Sequence, residues 1–132
     1  MTTYKVYFVS DQTGVTVETL GHSLLEQFEN KTFDTVTVPF VDTVDKAERV
    51  AEEIRQVAEN EGRRPIVFAS LVQENVRAPL LKSGGLVLDF FEAYLGALEQ
   101  ELGSQSSHTL RRHHGIYDSP GYNLRIEATN FA

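Results

Sequence analysis

The segment best suited to chemistry follows a short apolar run near the N-terminus and reads Ser10-Asp11-Gln12-Thr13-Gly14-Val15-Thr16. Its hydroxyl groups, its glycine and the free backbone N–H groups of a following helix predict a cradle for a phosphate group. The candidate residues are Ser10, Asp11, Thr13, Gly14 and Thr16. Helix capping by Asp11 or Thr13, with Gly14 easing the turn, is the alternative explanation. The carboxylate of Asp11 counts against phosphate, because like charges repel unless a cation or a proton separates them.

Three more polar residues stand where other apolar runs end, namely Asp42, Ser70 and Asp89. If these runs are parallel strands, the three residues and Asp11 meet at one edge of the sheet, where open α/β sheets bind their ligands. An aspartate that ends a strand also commonly caps the next helix, so catalysis and capping both remain open for Asp42 and Asp89. A phosphoacceptor receiver domain would need an aspartate in place of Ser70, so that class is disfavoured.

Basic residues cluster in the segment Arg111-Arg112-His113-His114-Gly115, within a chain that is otherwise acidic. Arg112, His113 and His114 are secondary candidates for phosphate binding, with a solvated loop as the alternative. Adjacent histidines lack the i, i+4 spacing that places two ligands on one helix face. The chain also has no cysteine. We therefore predict no metal site.

Nucleotide-binding motifs are missing from the sequence. No glycine is followed by a lysine, so there is no P-loop, and no Gly-x-Gly pair begins a dinucleotide-binding fingerprint. We therefore expect this chain to bind no cofactor by itself.

Strands and helices alternate along the first hundred or so residues. Strands are predicted at Val6–Val9, Thr35–Val41, Pro65–Ala69 and Leu86–Asp89. Apolar residues at helical spacing predict helices that contain Val17–Phe28, Ala47–Ala58, Gln73–Ser83 and Phe91–Leu102. Asp42 or Thr43 is expected to cap the second helix and Gly62 to end it. Pro79 is expected to kink the third helix or to start a new turn.

This alternation predicts a three-layer α/β domain of the Rossmann-like or flavodoxin-like kind, with a mainly parallel sheet of about four strands. We assign residues 1–103 to this domain and residues 104–121 to a flexible polar connector. Residues 122–132 are predicted to start a further helix, with Leu124, Ile126 and Phe131 as its apolar contacts.

Composition restricts the classes of function. Of the 132 residues, 41% are hydrophobic and 23% are charged, which excludes a disordered or collagen-like chain. The net charge of −7 argues against nucleic acid and anionic membranes as partners. The sequence has no basic leader and no apolar run near the ~20 residues that span a bilayer, so we expect a cytoplasmic protein.

Several motifs give the chain a specific resemblance to a known family. They are Phe8-Val9-Ser10-Asp11-Gln12-Thr13-Gly14-Val15-Thr16-Val17-Glu18-Thr19-Leu20-Gly21-His22-Ser23-Leu24-Leu25, Pro39-Phe40-Val41-Asp42-Thr43-Val44-Asp45-Lys46-Ala47, Arg64-Pro65-Ile66-Val67-Phe68, Leu98-Glu99-Gln100-Glu101-Leu102, and Arg125-Ile126-Glu127-Ala128 with Asn130-Phe131-Ala132. On these residues the chain resembles the phosphoenolpyruvate synthase regulatory proteins, relatives of the pyruvate,phosphate dikinase regulatory proteins. The resemblance covers nearly the whole chain. It is specific to the branch of the family that acts on phosphoenolpyruvate synthase rather than on the dikinase.

The resemblance implies a bifunctional enzyme. Its kinase activity uses ADP to phosphorylate a threonine of phosphoenolpyruvate synthase, and its phosphorylase activity uses phosphate to restore the synthase and release pyrophosphate. Members of the family are longer than this chain, and their nucleotide-binding P-loop lies beyond the matched part. The resemblance therefore implies that this chain is the N-terminal domain of such a protein, that the catalytic residues lie in a further domain, and that the chain alone is inactive. The implied partner is phosphoenolpyruvate synthase, and a homodimer is an open alternative.

Two other classes of function remain open. A flavodoxin-like electron carrier would use the hydroxyl-rich loop Thr13-Gly14-Val15-Thr16 to hold the phosphate of FMN, and the acidic charge suits that class. Against it, the chain has no tryptophan, and no later loop offers an aromatic pair to enclose the flavin ring. A non-catalytic module for dimerisation or partner docking would need no small ligand.

Overall fold

Four strands alternate with four helices in the computed structural model, which describes residues 2–107. The strands are β1 (Thr3–Ser10), β2 (Thr32–Val38), β3 (Ile66–Ser70) and β4 (Leu86–Asp89). The helices are α1 (Val15–Leu25), α2 (Val44–Glu61), α3 (Glu74–Leu81) and α4 (Phe90–Leu102). This architecture confirms the predicted α/β domain. The remainder of the predicted connector and the predicted helix at 122–132 lie outside the described residues.

All strand pairs in the sheet are parallel, and the strand order is β2-β1-β3-β4. The register sets Ser10 beside Ser70 and Ala69 beside Asp89, so the carboxyl ends of the three strands β1, β3 and β4 are level. From β1 the chain goes to β2 on one side and then crosses to β3 on the other. The gap between β1 and β3 is therefore the switch point at which such sheets hold ligands.

Helices cover both faces of the sheet, which explains why β1 is apolar on both sides. Tyr7 and Val9 point into a core cluster with α2 and α3, whereas Val6 and Phe8 point into a second cluster with α1. All four side chains are fully buried. The larger cluster also contains four residues of the apolar stripe predicted for α2, Ala47, Val50, Ala51 and Ile54, whereas Val57 and Ala58 of that stripe are only partly buried.

Both ends of α2 are formed by residues that the sequence predicts for these positions. The Thr43 hydroxyl accepts a hydrogen bond from the Lys46 N–H at 3.2 Å, so Thr43 and not Asp42 is the cap. Gly62 ends the helix with φ of +67°, a conformation that glycine adopts without strain. The predicted third helix is also confirmed, and it continues through Pro79 to Leu81.

Two predictions about individual elements are wrong in detail. The second strand begins at Thr32 rather than Thr35, and it ends at Val38, before Pro39. The first helix is confirmed, but it ends at Leu25, before Phe28, and the residues that it buries are Val17, Gly21 and Leu25. The apolar residues at helical spacing from which it was predicted, Leu20, Leu24 and Phe28, are exposed.

Candidate functional site

Asp11 joins the ends of the two central strands. Its backbone N–H donates to the Ser70 carbonyl at 3.4 Å, and its Oδ2 accepts a hydrogen bond from the Val72 N–H at 2.9 Å. The residue is 7% exposed. Burial raises the pKa of the Asp11 carboxyl above its ordinary value, and the hydrogen bond from Val72 only partly opposes this effect. Asp11 therefore does not cap α1, and its carboxylate holds the chain that leaves β3.

The loop between β1 and α1 depends on Gly14. This glycine has φ of +91°, and a Cβ there would lie 3.0 Å from the Thr37 methyl group on β2. The loop is also fixed by backbone bonds, since Phe40 N–H donates to the Gln12 carbonyl at 2.8 Å and Val41 N–H to the Ser10 carbonyl at 2.8 Å. A close approach to β2 thus accounts for the glycine, independently of any ligand.

The first turn of α1 is open to solvent at Thr13, Val15 and Thr16. Capping there is weak, because the Thr13 hydroxyl is 3.5 Å from the Val15 N–H and Gly14 has no side chain. The Glu18 carboxylate accepts a hydrogen bond from the Thr37 hydroxyl on β2. Both carboxylates near this turn are therefore engaged elsewhere, Asp11 with Val72 and Glu18 with Thr37. The Ser10 side chain is also engaged, since its Oγ accepts from the Gln12 N–H at 2.9 Å.

Asp89 is a buried helix cap at the end of β4. Its Oδ1 accepts from the Glu92 N–H at 2.9 Å and its Oδ2 from the Leu71 N–H at 3.3 Å. Burial raises the pKa of Asp89, while the Glu92 N–H and the nearby charge of Arg77 act in the opposite direction. Asp11 and Asp89 thus bind the consecutive N–H groups of Val72 and Leu71.

Arg77, which sequence reasoning did not single out, completes this arrangement. It is 4% exposed, and its Nε lies 3.4 Å from Asp89 Oδ2. Its Nη2 donates to the Leu71 carbonyl at 3.0 Å and its Nη1 to Glu92 Oε1 at 2.8 Å. One feature of the sequence could have indicated a buried arginine here: Arg77 is the one arginine of a short helix and lies between Val76 and Leu80, which are buried.

Of the other predicted candidates, Asp42 lies near enough for its charge to add to the raised pKa of Asp11. Asp42 is exposed and forms an ion pair with Lys46 at 2.8 Å. Arg112, His113 and His114 lie outside the described residues. Across residues 2–107, no three side chains of the types His, Cys, Asp and Glu are grouped so that they could bind a metal ion. No helix in that part of the chain is long and apolar enough to cross a membrane.

The fold and the strand ends define a three-layer α/β domain with the flavodoxin-like strand order 2-1-3-4. Comparison with known proteins identifies the family: residues 6–132 match the kinase/pyrophosphorylase family, and the chain belongs to it. The resemblance found from the sequence is thereby confirmed.

Curated relatives are similar over most of this chain. A protein of Azoarcus sp. (strain BH72) named "Putative phosphoenolpyruvate synthase regulatory protein" is 52% identical over 127 residues. Proteins with the same name from Aromatoleum aromaticum and Stutzerimonas stutzeri (strain A1501) are 51% and 47% identical. Each match covers 96% of this chain and 46% of the relative, so the chain spans about half the length of the relatives it matches.

Proposed function

We propose that this chain is the N-terminal α/β part of a bifunctional regulator of phosphoenolpyruvate synthase. The observation that carries the proposal is the identity of 46–52% to relatives that bear that name, over nearly all of this chain. Membership in the kinase/pyrophosphorylase family supports the two opposed activities. It favours them over electron transfer by a flavodoxin-like carrier, with which the chain shares the strand order.

The proposed chemistry consists of two phosphoryl transfers. In the first, the hydroxyl of a threonine in the synthase gives up its proton and attacks the terminal phosphorus of ADP; a P–O bond forms to threonine, the P–O bond to the AMP leaving group breaks, and AMP departs. In the second, inorganic phosphate attacks the phosphothreonine, and pyrophosphate leaves as the threonine hydroxyl is restored. The regulator would act in the cytoplasm, where the synthase is expected.

This chain is not expected to perform either transfer by itself. Phosphoryl transfer depends on positioning the phosphates and neutralising their charge, usually with a lysine and backbone N–H groups of a P-loop. The sequence contains no such loop, and the strand ends present Asp11 and Asp89, which are already bound to backbone groups. The proposed contribution of this chain is recognition of the synthase.

Recognition is tested by measuring binding of the 132-residue chain to immobilised phosphoenolpyruvate synthase. We expect saturable binding that is stronger than binding to pyruvate,phosphate dikinase, which serves as the matched control because the related regulators act on it. Equal binding to both targets would contradict recognition by this chain of the synthase in particular. Failure to bind the synthase would remove the recognition role altogether.

We also propose a weak phosphate contact at the loop 10–16. Support comes from the solvent-facing first turn of α1 and from Asp11 and Glu18, whose carboxylates are engaged with Val72 and Thr37. Phosphate titration followed by NMR should shift amide signals within this loop, and Asp11→Asn should tighten binding because it removes a negative charge but keeps an acceptor for Val72. Shifts confined to residues 111–115 would move the site there, and no shifts at either place would leave Gly14 and the loop with a structural role only.

A further inference from the structure

Phe40 has a backbone conformation that is unfavourable for its side chain. Its φ is +60°, and within residues 2–107 it is the one residue other than glycine with a positive φ. A bulky L-residue rarely adopts this left-handed region, because its Cβ crowds the following carbonyl group. Glycine and asparagine adopt the region more readily. The chain therefore holds a phenylalanine where a smaller residue would fit the backbone better.

Hydrogen bonds explain why the backbone keeps this conformation. The Phe40 N–H donates to the Gln12 carbonyl at 2.8 Å, and the Phe40 carbonyl accepts from Lys46 Nζ at 3.2 Å. The N–H of Val41 donates to the Ser10 carbonyl at 2.8 Å. On the side of residues 40 and 41 these bonds use backbone groups alone, so an asparagine at position 40 would form them equally well. The fold thus accounts for the backbone of Phe40 but not for its ring.

The ring of Phe40 is not part of the core. The residue is 55% exposed and belongs to neither of the two core clusters. Residues in strained backbone conformations are found most often at sites of function, where the side chain is needed at that position. An exposed aromatic ring at such a position is typical of a residue that contacts a partner.

Phe40 lies at the carboxyl edge of the sheet, beside the loop 10–16. β2 ends two residues earlier, at Val38, and the hydrogen bond from Phe40 to Gln12 joins the two loops. Val15, in the first turn of α1, is 65% exposed at the same edge. Two apolar side chains are therefore exposed at the edge where α/β sheets of this kind bind their ligands.

The polar residues around Phe40 suit a protein partner. Gln12 and Thr13 are exposed and carry no charge. Asp42 and Lys46 form an ion pair at 2.8 Å, so their opposite charges offset each other. Apolar side chains at the centre, with polar groups around them, are the usual arrangement of a protein–protein interface. This edge has that arrangement although the whole chain has a net charge of −7.

We propose that Phe40 is an anchor residue through which this chain binds phosphoenolpyruvate synthase, with its ring inserted into an apolar pocket of that partner. The inference rests on the proposed recognition of the synthase and adds the residue and the edge of the sheet that perform it. Aromatic side chains that fill a pocket at the centre of an interface commonly contribute a large share of the binding free energy. The binding function of the ring then explains why phenylalanine is kept at a strained position.

Phe40→Asn tests the proposal, because asparagine tolerates the left-handed conformation and removes only the ring. The variant should unfold at nearly the same temperature as the parent chain, while its dissociation constant for immobilised synthase rises roughly tenfold or more. Phe28→Asn is the matched control, since Phe28 is 59% exposed, has no positive φ and lies before β2, at the opposite edge of the sheet. The control should leave binding unchanged. Phe40→Tyr keeps the ring and should bind nearly as well as the parent chain.

A second variant, Phe40→Gly, also relieves the backbone and should lose binding to the same extent, so the test does not depend on how one variant folds. If the parent chain binds the synthase and both variants bind equally well, the inference is overturned and the recognition role stands. An equal loss with Phe28→Asn would overturn it too. No binding by the parent chain would remove the recognition role and the inference together. Altered phosphate shifts in the loop 10–16 of Phe40→Asn, with unchanged binding to the synthase, would assign the ring to that loop instead.

Discussion

The Asp11 carboxylate accepts a hydrogen bond at 2.9 Å from the backbone N–H of Val72, a residue 61 positions later in the chain. This bond joins the end of β1 to the segment that leaves β3. Asp89 binds the neighbouring N–H of Leu71 in the same way. The two buried carboxylates at the strand ends therefore fix the shape of one loop, and their first role is structural.

Asp11→Ala should destabilise the domain by about 1–3 kcal/mol, because the Val72 N–H loses its acceptor in a partly buried position. Asp11→Asn keeps an oxygen acceptor and should cost less. Urea unfolding of the two variants beside the parent chain measures the difference. If Asp11→Ala and Asp11→Asn are equally destabilising, the hydrogen bond to Val72 is not the source of the contribution that Asp11 makes to stability.

The stability effect of Asp11 should depend on pH in a defined direction. Burial raises its folded-state pKa above the ordinary value of 3.8. The unfolded chain therefore releases this proton first, and the contribution of Asp11 to the free energy of unfolding falls as pH rises from 3.8 through the folded-state pKa. Asparagine does not titrate. We therefore compare the free energies of unfolding of the two proteins. The value for Asp11→Asn minus the value for the parent chain should increase over this pH range and level off above the folded-state pKa of Asp11. A difference that decreases with pH would contradict the raised pKa.

Arg77→Met should cost about 3–5 kcal/mol, because it leaves the buried Asp89 carboxylate without its cation. Arg55→Met is the matched control, since Arg55 forms an exposed ion pair with Glu52 and should change the free energy of unfolding by less than about 1 kcal/mol. Thermal and urea unfolding provide the comparison. Similar costs for both variants would argue against a structural role for the Arg77–Asp89 pair.

Replacing each of two helical glycines by alanine should change the free energy of unfolding in opposite directions. At Gly21 a Cβ would overlap the Phe8 ring, so Gly21→Ala should destabilise by about 1–3 kcal/mol. Around Gly96 there is no heavy atom within 4 Å of the new Cβ, and alanine should stabilise α4 by about 0.5–1 kcal/mol. The changes in unfolding midpoint should therefore differ in sign. Stabilisation by Gly21→Ala would mean that α1 does not pack on β1 as described.

The order of elements could be predicted because each has a local signal. The apolar run in β1, the stripe of α2 and its cap Thr43 are all determined by neighbouring residues. The orientation of α1 could not be predicted in this way. Periodicity indicated a helix through Leu20 and Leu24, but the side that faces the sheet is set by the contact of Gly21 with Phe8.

The candidate site was predictable only in part. The aspartates at the strand ends were identified, and the convergence of Asp11 and Asp89 follows from parallel strands. Their partners could not be identified, because Val72 and Leu71 become neighbours of Asp11 and Asp89 through strand pairing that no local pattern specifies. Arg77 was missed for the same reason, since the carbonyl and carboxylate groups around it come from two separate segments, the chain after β3 and the start of α4.

We propose that this chain forms the N-terminal part of a regulator of phosphoenolpyruvate synthase and needs a further domain for phosphoryl transfer. The most direct measurement joins the chain to the unmatched half of the Azoarcus sp. relative and uses mass spectrometry to detect phosphothreonine in the synthase after incubation with ADP. The whole relative is the reference for activity, and the 132-residue chain alone is the control. We predict phosphothreonine with the joined protein and none with the chain alone. Phosphothreonine formed by the chain alone, or none formed by a folded joined protein when the whole relative is active, would contradict the claim.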